Sequence, residues 1–331
     1  MTIPYVVGQW VRGERFYGRE EELSVVLDSR RSFWVAGTRR IGKTSLLRQA
    51  EHLGVSRDSR VLPLVWDFQG VENSTDLQDS FHEALLDAGP RMSEFGLALP
   101  SPGEAPAAVI RRFAAVLSAR GRKLLLLADE AEDLAALAAN APGDLDEFLA
   151  ALTLTPGVRF VLAGSLRLAA LAARSPQGER LLRAVTPPLF LGGLSSAQAR
   201  TLIRQENLPA RARPSLDDTV VEGLCAPCGG HPFLLQLLAK RVAESGDLPG
   251  ACAAVATDPM VHYLFSADLA LLEEADRRLL RALAGGGADS DPQQTVHLEA
   301  LGLLRRGTDG RAAAGNRFLE QWLRRTAAWE A

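Results

Sequence analysis

Gly37-Thr38-Arg39-Arg40-Ile41-Gly42-Lys43-Thr44 satisfies the pattern G-x-x-x-x-G-K-[ST] at every fixed position. The apolar run Phe33-Trp34-Val35-Ala36 precedes it, and Ser45-Leu46-Leu47-Arg48-Gln49-Ala50, which follows, reads as a helix. Strand, glycine loop and helix in that order make a cradle for phosphate. The loop amides point inward and the helix N-terminus adds partial positive charge. In such a cradle Lys43 reaches the β- and γ-phosphates and the Thr44 hydroxyl holds Mg²⁺. The alternative is an ordinary Gly-rich turn with an exposed lysine, and the strand and helix on either side argue against it. Gly37, Arg40, Gly42, Lys43, Thr44 and Ser45 are therefore candidate nucleotide-binding residues.

The 331-residue length suggests two or three domains. A hydrophobic content of 47% supplies real cores, and a net charge of −3 leaves no whole-chain nucleic-acid footprint. No apolar run is long enough to span a bilayer, so no membrane partner is expected. Met1-Thr2-Ile3-Pro4-Tyr5 lacks the basic and apolar regions of a secretory leader, and three cysteines make no disulfide framework. The expected compartment is cytoplasmic. No internal repeat of solenoid period is visible.

Outward from the loop, Gly18 to Leu27 reads as a short helix with an acidic first turn. Val61 to Asp67 is a second buried strand, followed by a helix over Ser74 to Asp87. Pro90, Pro100, Pro102 and Pro106 then mark an irregular connection. A helix over Ala107–Ala119 leads to Lys123-Leu124-Leu125-Leu126-Leu127-Ala128-Asp129-Glu130, an apolar strand ending in two carboxylates. Asp144 to Leu152 looks helical, Val158 to Ser165 is another strand with a polar end, and Leu189-Phe190-Leu191 is the last. Strands alternating with helices predict an α/β fold with a parallel sheet, whose ligand site lies at the carboxyl ends of the strands. The glycine loop, Asp129, Glu130 and Ser165 all fall at such ends.

The pattern changes at Ser195, which forms a capping box with Gln198 and opens a helix through about Gln205. Only helices are read from there to about Leu283, with Pro232 in the first turn of one that runs from Phe233 to Ala243. Periodicity is lost over Gly285–Pro292. A helix over Gln294–Leu301, a hairpin over Gly302–Ala314 around Thr308-Asp309-Gly310, and a final helix from Asn316 to Trp329 complete the chain. The expected domains are 1–194 for the core, 195–265 for an all-α segment and 266–331 for the C-terminal part.

The paired acids suggest a division of labour. Asp129 orders Mg²⁺ and its waters, and Glu130 polarises the attacking water. Glu132 and Asp133 follow closely and compete for the second role; Asp129 is preferred as metal ligand because it is the first carboxylate after the apolar run. Ser165, with Arg167 beyond it, either contacts the γ-phosphate or lytic water or caps the following helix. Arg39 and Arg40 either meet a phosphate or a neighbouring subunit or are simply solvated. Cys225-Ala226-Pro227-Cys228 with His231 has the outline of a metal or redox motif, but a fourth ligand is unmarked and the stretch is helical. Small buried thiols are the expected reading.

Taken together these stretches resemble the STAND/AAA-type P-loop ATPases, in particular their archaeal-type branch. Phe16-Tyr17-Gly18-Arg19-Glu20-Glu21-Glu22-Leu23 is similar to that group's signature before the P-loop. The loop with two arginines, the Asp129-Glu130 pair, the Gly164-Ser165 strand end and Gly229-Gly230-His231-Pro232 are similar to its later motifs. Leu301-Gly302-Leu303-Leu304 with Phe318 and Trp322 resembles the winged-helix domain that follows. The resemblance covers nearly the whole chain. It implies an ASCE-type parallel sheet flanked by helices, with the Ser165 strand between the acidic strand and the P-loop strand, then an all-α lid and a reduced winged-helix domain. It implies ATP and Mg²⁺ as cofactors. Adenine would lie between the Phe16–Arg19 stretch and Pro232, with His231 facing the phosphates. It also places an arginine finger, lent to a neighbouring subunit, at Arg180 or Arg183 between the Ser165 and Leu189 strands.

Two departures are noted. Members of the group commonly carry a long C-terminal sensor, whereas this sequence stops shortly after Trp329, so the expectation is a sensor or effector on another polypeptide, or none. The Gly285–Pro292 stretch stands where a helix would brace a recognition helix. The leading expectation is a slow ATP-hydrolysing molecular switch that forms a homo-oligomer with nucleotide and binds an unknown protein partner. A DNA-binding ATPase is the second reading. From Glu299 to Arg325 there are six arginines against three acids, but Ser266 to Ala331 as a whole carries nine arginines against ten acids. DNA is therefore the less favoured partner.

Overall fold

The computed structural model describes residues 3–57, 60–173, 176–286, 292–307 and 309–327. In chain order the elements are α1 (Glu20–Asp28), β1 (Phe33–Gly37), α2 (Lys43–Arg57), β2 (Val61–Asp67), α3 (Ser74–Glu94), α4 (Pro106–Ser118), β3 (Lys123–Asp129), α5 (Leu134–Asn140), α6 (Pro142–Leu154), β4 (Val158–Gly164), α7 (Pro176–Val185) and β5 (Leu189–Leu191). They continue as α8 (Ser196–Arg204), α9 (Asp218–Cys225), α10 (Pro232–Ser245), α11 (Leu248–Ala256), α12 (Pro259–Leu269), α13 (Glu274–Ala284), α14 (Pro292–Ala300), β6 (Leu304–Arg306), β7 (Ala312–Ala314) and α15 (Arg317–Ala327).

The strand order is β2-β3-β4-β1-β5, and the pairs β2/β3, β3/β4 and β4/β1 are parallel. The acidic strand β3 is thus separated from the P-loop strand β1 by β4, as the family resemblance implied. β1 is buried at every position and β3 at all but its first. That is how strands covered on both faces look, and why they read in sequence as unbroken apolar runs. The chain divides into two compact units. One comprises residues 20–36 and 43–189 and holds most of the sheet; the other comprises 1–19, 37–42 and 190–331.

In the sheet-bearing unit, α1 packs on α2, and α3, α4, α6 and α7 adjoin one another in sequence. Trp66 stacks on Phe68 at 4.4 Å, tilts onto Phe81 at 4.4 Å and meets Phe148 edge-on at 5.1 Å. This cluster packs the carboxyl end of β2. Helix α3 runs through Pro90 to Glu94, where an irregular connection was expected. An interior proline forfeits a hydrogen bond. Tertiary contacts offset that loss: Ala88 and Met92 are buried, and Arg91 pairs with the buried Glu51 at 2.5 Å.

In the other unit the Ser195–Gln198 capping box starts α8, and Pro232 opens α10. Towards the C-terminus Leu298, Leu301, Leu303, Leu304, Phe318 and Leu319 are buried, and Trp322 tilts against Phe265 at 6.1 Å. Glycines make a backbone-to-backbone junction here. A Cβ on Gly229 would lie 2.1 Å from the Gly315 carbonyl oxygen, one on Gly230 2.2 Å from that of Leu194, and one on Gly315 1.9 Å from that of Gly302. The exit from β5, the turn before α10 and the hairpin of β6 and β7 therefore meet almost wholly through main chain, with the Asn316 Cβ the one side-chain atom near these positions. Of the sequence expectations, Thr308, the 287–291 part of the Gly285–Pro292 stretch and the chain end including Trp329 lie outside the described residues.

Candidate functional site

The P-loop sequence crosses the boundary between the units: Gly37–Gly42 belong to one, and Lys43, Thr44 and Ser45, the first turn of α2, to the other. Both fixed glycines have a physical reason. Gly42 has φ +104°, a conformation side chains disfavour, and a Cβ on Gly37 would lie 2.9 Å from the Ile41 side chain and 3.0 Å from the Leu191 carbonyl oxygen.

In the sheet-bearing unit the strand ends gather acids around the start of α2. Register sets Asp67 of β2 opposite Asp129 of β3, and the Phe68 N–H donates to the Asp129 carbonyl at 3.0 Å. Asp129 is 3% exposed and its carboxylate accepts the Thr44 hydroxyl. Burial pushes its pKa up and the Asp67 charge adds to that, while the Thr44 hydrogen bond and the Lys43 charge oppose it. The Oδ1 atom of Asp129 is buried without a hydrogen-bond partner. Lys43 is itself buried. A buried carboxylate oxygen lacking a partner, beside a hydroxyl and a lysine, suits a hard cation that takes oxygen donors. Mg²⁺, which keeps most of its shell as water and phosphate, needs no more protein than this. Thr44 and Asp129 are the residues that would hold it.

Glu130 follows in the left-handed region, with φ 47° and ψ 39°. A non-glycine residue there costs about 1–2 kcal/mol. Burial pushes its carboxyl up to about 7, with Glu132, Asp129 and Asp67 adding negative charge and Lys43 opposing. The other two candidate acids are committed elsewhere. Both Glu132 oxygens accept the Ser165 N–H at 3.1 Å, and Asp133 Oδ2 accepts the Gly70 N–H at 2.9 Å. Ser165 is buried, and its hydroxyl accepts the Arg167 N–H at 3.3 Å, capping the turn that follows. Arg180 and Arg183 are exposed on α7, where Arg183 pairs with Glu179 at 2.5 Å.

In the other unit the turn Thr38–Ile41 is surrounded by polar groups from distant segments. Arg19, buried and with φ 69°, directs its guanidinium at the carbonyls of Ile41 and Gly192. Arg40, also left-handed at φ 56°, lies 4.9 Å over the Phe233 ring. The Arg39 N–H donates to Asp268 of α12 at 2.9 Å, and its guanidinium sits 5.9 Å over Tyr263 of the same helix. His231, the residue before α10, is buried, and neither ring nitrogen makes a well-formed hydrogen bond. Burial pushes its pKa down to about 4; the Arg19 and Arg40 charges act the same way and the nearby Arg39 backbone pulls the other way. Pro232 is half-buried beside it. Cys228 is buried and directs its thiol to the Leu224 carbonyl, and no cluster of metal-ligating side chains occurs among the described residues.

The structure thus brings Lys43, Thr44, Asp129 and Glu130 together in one unit, and Arg19, Arg39, Arg40 and His231 together in the other. Sequence reading missed Asp67, Asp268 and the anchoring by Glu132. Asp67 carried a visible signal, an acid ending an apolar strand. The other two depend on partners far away in the chain and carried none.

No protein-family model matches the chain, and no curated protein matches it. Among solved structures it is similar to a Walker-type ATPase of Pyrococcus abyssi, with 17% identity, a TM-score of 0.66, and 96% of this chain and 99% of that chain covered. It is also similar to the Aeropyrum pernix ORC2 protein. In its ADPNP–ADP complexes the identity is 14% and the TM-score 0.54, over 98% of this chain and 97% of that chain. In its ADP form the values are 15% and 0.51 over the same shares. The chain has the fold of the Walker-type P-loop ATPases. No helix among the described residues is long and apolar enough to cross a membrane.

Proposed function

We propose that the protein is an ATP-binding and ATP-hydrolysing molecular switch. The observation that carries this reading is the buried, partnerless Oδ1 of Asp129, set beside the Thr44 hydroxyl and Lys43 at the start of the P-loop helix. In this reading the loop amides and Lys43 bind the phosphates, Thr44 and Asp129 hold Mg²⁺, and Glu130 takes a proton from the attacking water. Mg²⁺, when bound, neutralises charge that develops on the phosphates. The Aeropyrum pernix neighbour, solved with ADPNP and ADP, supports a nucleotide as the ligand.

His231 and Pro232, at the turn into α10, are the lid groups whose contacts with nucleotide would differ between states, the requirement for any ligand-driven switch. Residues 195–265 act as the lid and 266–331 as a winged-helix module that moves with it, meeting a protein partner and governing a nucleotide-dependent homo-oligomer. Arg180 and Arg183, exposed on α7, are the candidates for an arginine lent to a neighbour; an Arg180→Ala or Arg183→Ala chain should then complement a Lys43→Ala chain in mixed assemblies. DNA is not the favoured partner. Ser266 to Ala331 carries nine arginines against ten acids, and Arg306, Arg311 and Arg324 each pair with a separate acid, so the segment offers no net positive charge to a phosphate backbone.

Calorimetric titration tests the reading. The parent chain should bind ATP and ADP in the presence of Mg²⁺, and Lys43→Ala should lose on the order of a hundredfold in affinity, the size of charged hydrogen bonds removed. A parent chain that binds neither nucleotide overturns it.

A further inference from the structure

Strand β4 lies between the acidic strand and the P-loop strand, and its end poses a hydrogen-bonding problem. Its pairing with β3 stops at Ala128↔Leu162, and its pairing with β1 stops at Ala36↔Gly164. Ser165, the next residue and 4% exposed, is beyond both ladders. A buried N–H there needs an acceptor from elsewhere. Glu132 supplies it with both carboxylate oxygens at 3.1 Å. The approach requires glycine at the preceding position, because a Cβ on Gly164 would stand 2.6 Å from Glu132 Oε2. Once held, Ser165 accepts the Arg167 N–H and starts the next turn. An acid two residues beyond Glu130 is thereby tied to the one polar residue at the end of the intervening strand.

We infer that Glu132 is a positioning residue for the hydrolytic site. It fixes the height of Ser165 at the carboxyl edge of the sheet, and with it the hydroxyl that would meet phosphate or water, while taking no proton itself. Gly164 is the second half of the device, since it makes room for the carboxylate. This rests on the ATPase reading above. A reacting group displaced by about an ångström costs up to about a hundredfold in rate, so a lost anchor should lower turnover much more than binding.

The test uses the full chain with Glu132→Ala, Glu132→Gln, Gly164→Ala and the double variant Glu132→Ala/Gly164→Ala. Amide hydrogen exchange at Ser165 reads the anchor without reference to hydrolysis; kcat, KM and ADP affinity read its consequence. Glu132→Ala should lose protection at Ser165 and lower kcat between about tenfold and a hundredfold, with KM and ADP affinity within about twofold. Glu132→Gln, whose amide oxygen still accepts, should recover most of the loss. Gly164→Ala should reproduce Glu132→Ala by expelling the carboxylate, and the double variant should be no worse than either single change. Protection retained in Glu132→Ala overturns the anchor, and additive losses in the double variant overturn the pairing with Gly164. An unchanged kcat despite lost protection overturns the positioning role. A parent chain that hydrolyses no ATP defeats the ATPase reading and the positioning role together, and exchange at Ser165 still decides the anchor.

Discussion

The carboxylate of Asp268 accepts the backbone N–H of Arg39 at 2.9 Å, joining α12 to the P-loop turn across 229 residues of sequence. The same helix offers Tyr263 beneath the Arg39 guanidinium. The third residue of the loop is therefore held by both its backbone and its side chain. Asp268→Ala leaves the loop N–H without this acceptor and should weaken ATP binding by about tenfold, the worth of one charged hydrogen bond. Asp268→Asn keeps an acceptor oxygen and should bind nearly as the parent does. Titration calorimetry on both variants checks this, and parental affinity in the alanine variant counts against it.

Glu130→Gln should leave ATP affinity intact and slow hydrolysis by a factor on the order of a hundred or more, the usual size of a lost general base. Single-turnover hydrolysis with bound nucleotide separates the two effects. A Glu130→Gln chain that turns over at the parental rate removes Glu130 from the role.

Glu130→Gly divides stability from activity. The residue sits at φ 47°, where glycine has no Cβ penalty. The glycine variant should gain about 0.5–1 kcal/mol of stability, visible as a higher thermal midpoint, while losing hydrolysis. A lower midpoint would mean that the side chain stabilises its own conformation.

His231 should make the protein acid-sensitive. Its pKa is pushed from 6.5 in the open chain to about 4 by burial and neighbouring arginines. The folded state binds that proton less readily than the unfolded state does. The stability contribution is complete above about 6.5 and is lost progressively as the pH falls towards 4. Thermal midpoints measured across that window should fall less steeply in His231→Gln, which has no proton to bind there. Parallel slopes for the two proteins would exclude His231 as a source of the sensitivity.

Gly229→Ala and Gly230→Ala should each destabilise by more than the ~1 kcal/mol that an alanine at positive φ costs alone. At both, the new methyl would meet backbone oxygens at 2.1 and 2.2 Å. Gly121 is the control: it has φ +67° but nothing within 4 Å of its Cβ position. Denaturant unfolding of the three variants should rank Gly121→Ala as the mildest.

Legibility in the sequence followed the range of the forces involved. β2 is bounded as read, and β3 ends at Asp129, one residue before the end that was read, because double burial leaves an unbroken apolar run and Glu130 turns left-handed where that run stops. The Ser195 cap and the first-turn Pro232 are local chemistry and were equally plain. The far end of α3 was misread because Pro90 is a local signal, whereas the Arg91–Glu51 pair that holds the helix beyond it bridges 40 residues. The site divides in the same way. Lys43, Thr44, Asp129 and Glu130 stand in motifs. Which acid remains uncommitted was decided by the Ser165 and Gly70 amides, which no spacing rule reaches from Glu132 or Asp133.

The junction of Gly192, Gly193, Gly229, Gly230, Gly302 and Gly315 is built almost wholly from main chain. Elsewhere in a protein, the angle between two segments drifts under mutation as side chains at their contact grow, shrink or change charge. Here the contacting positions themselves carry no side chain to exchange, and every residue larger than glycine at Gly229, Gly230 or Gly315 would meet a carbonyl. Its geometry is consequently all-or-nothing for selection and for the protein engineer alike. Sequence variation can abolish the joint but has no graded means of adjusting it.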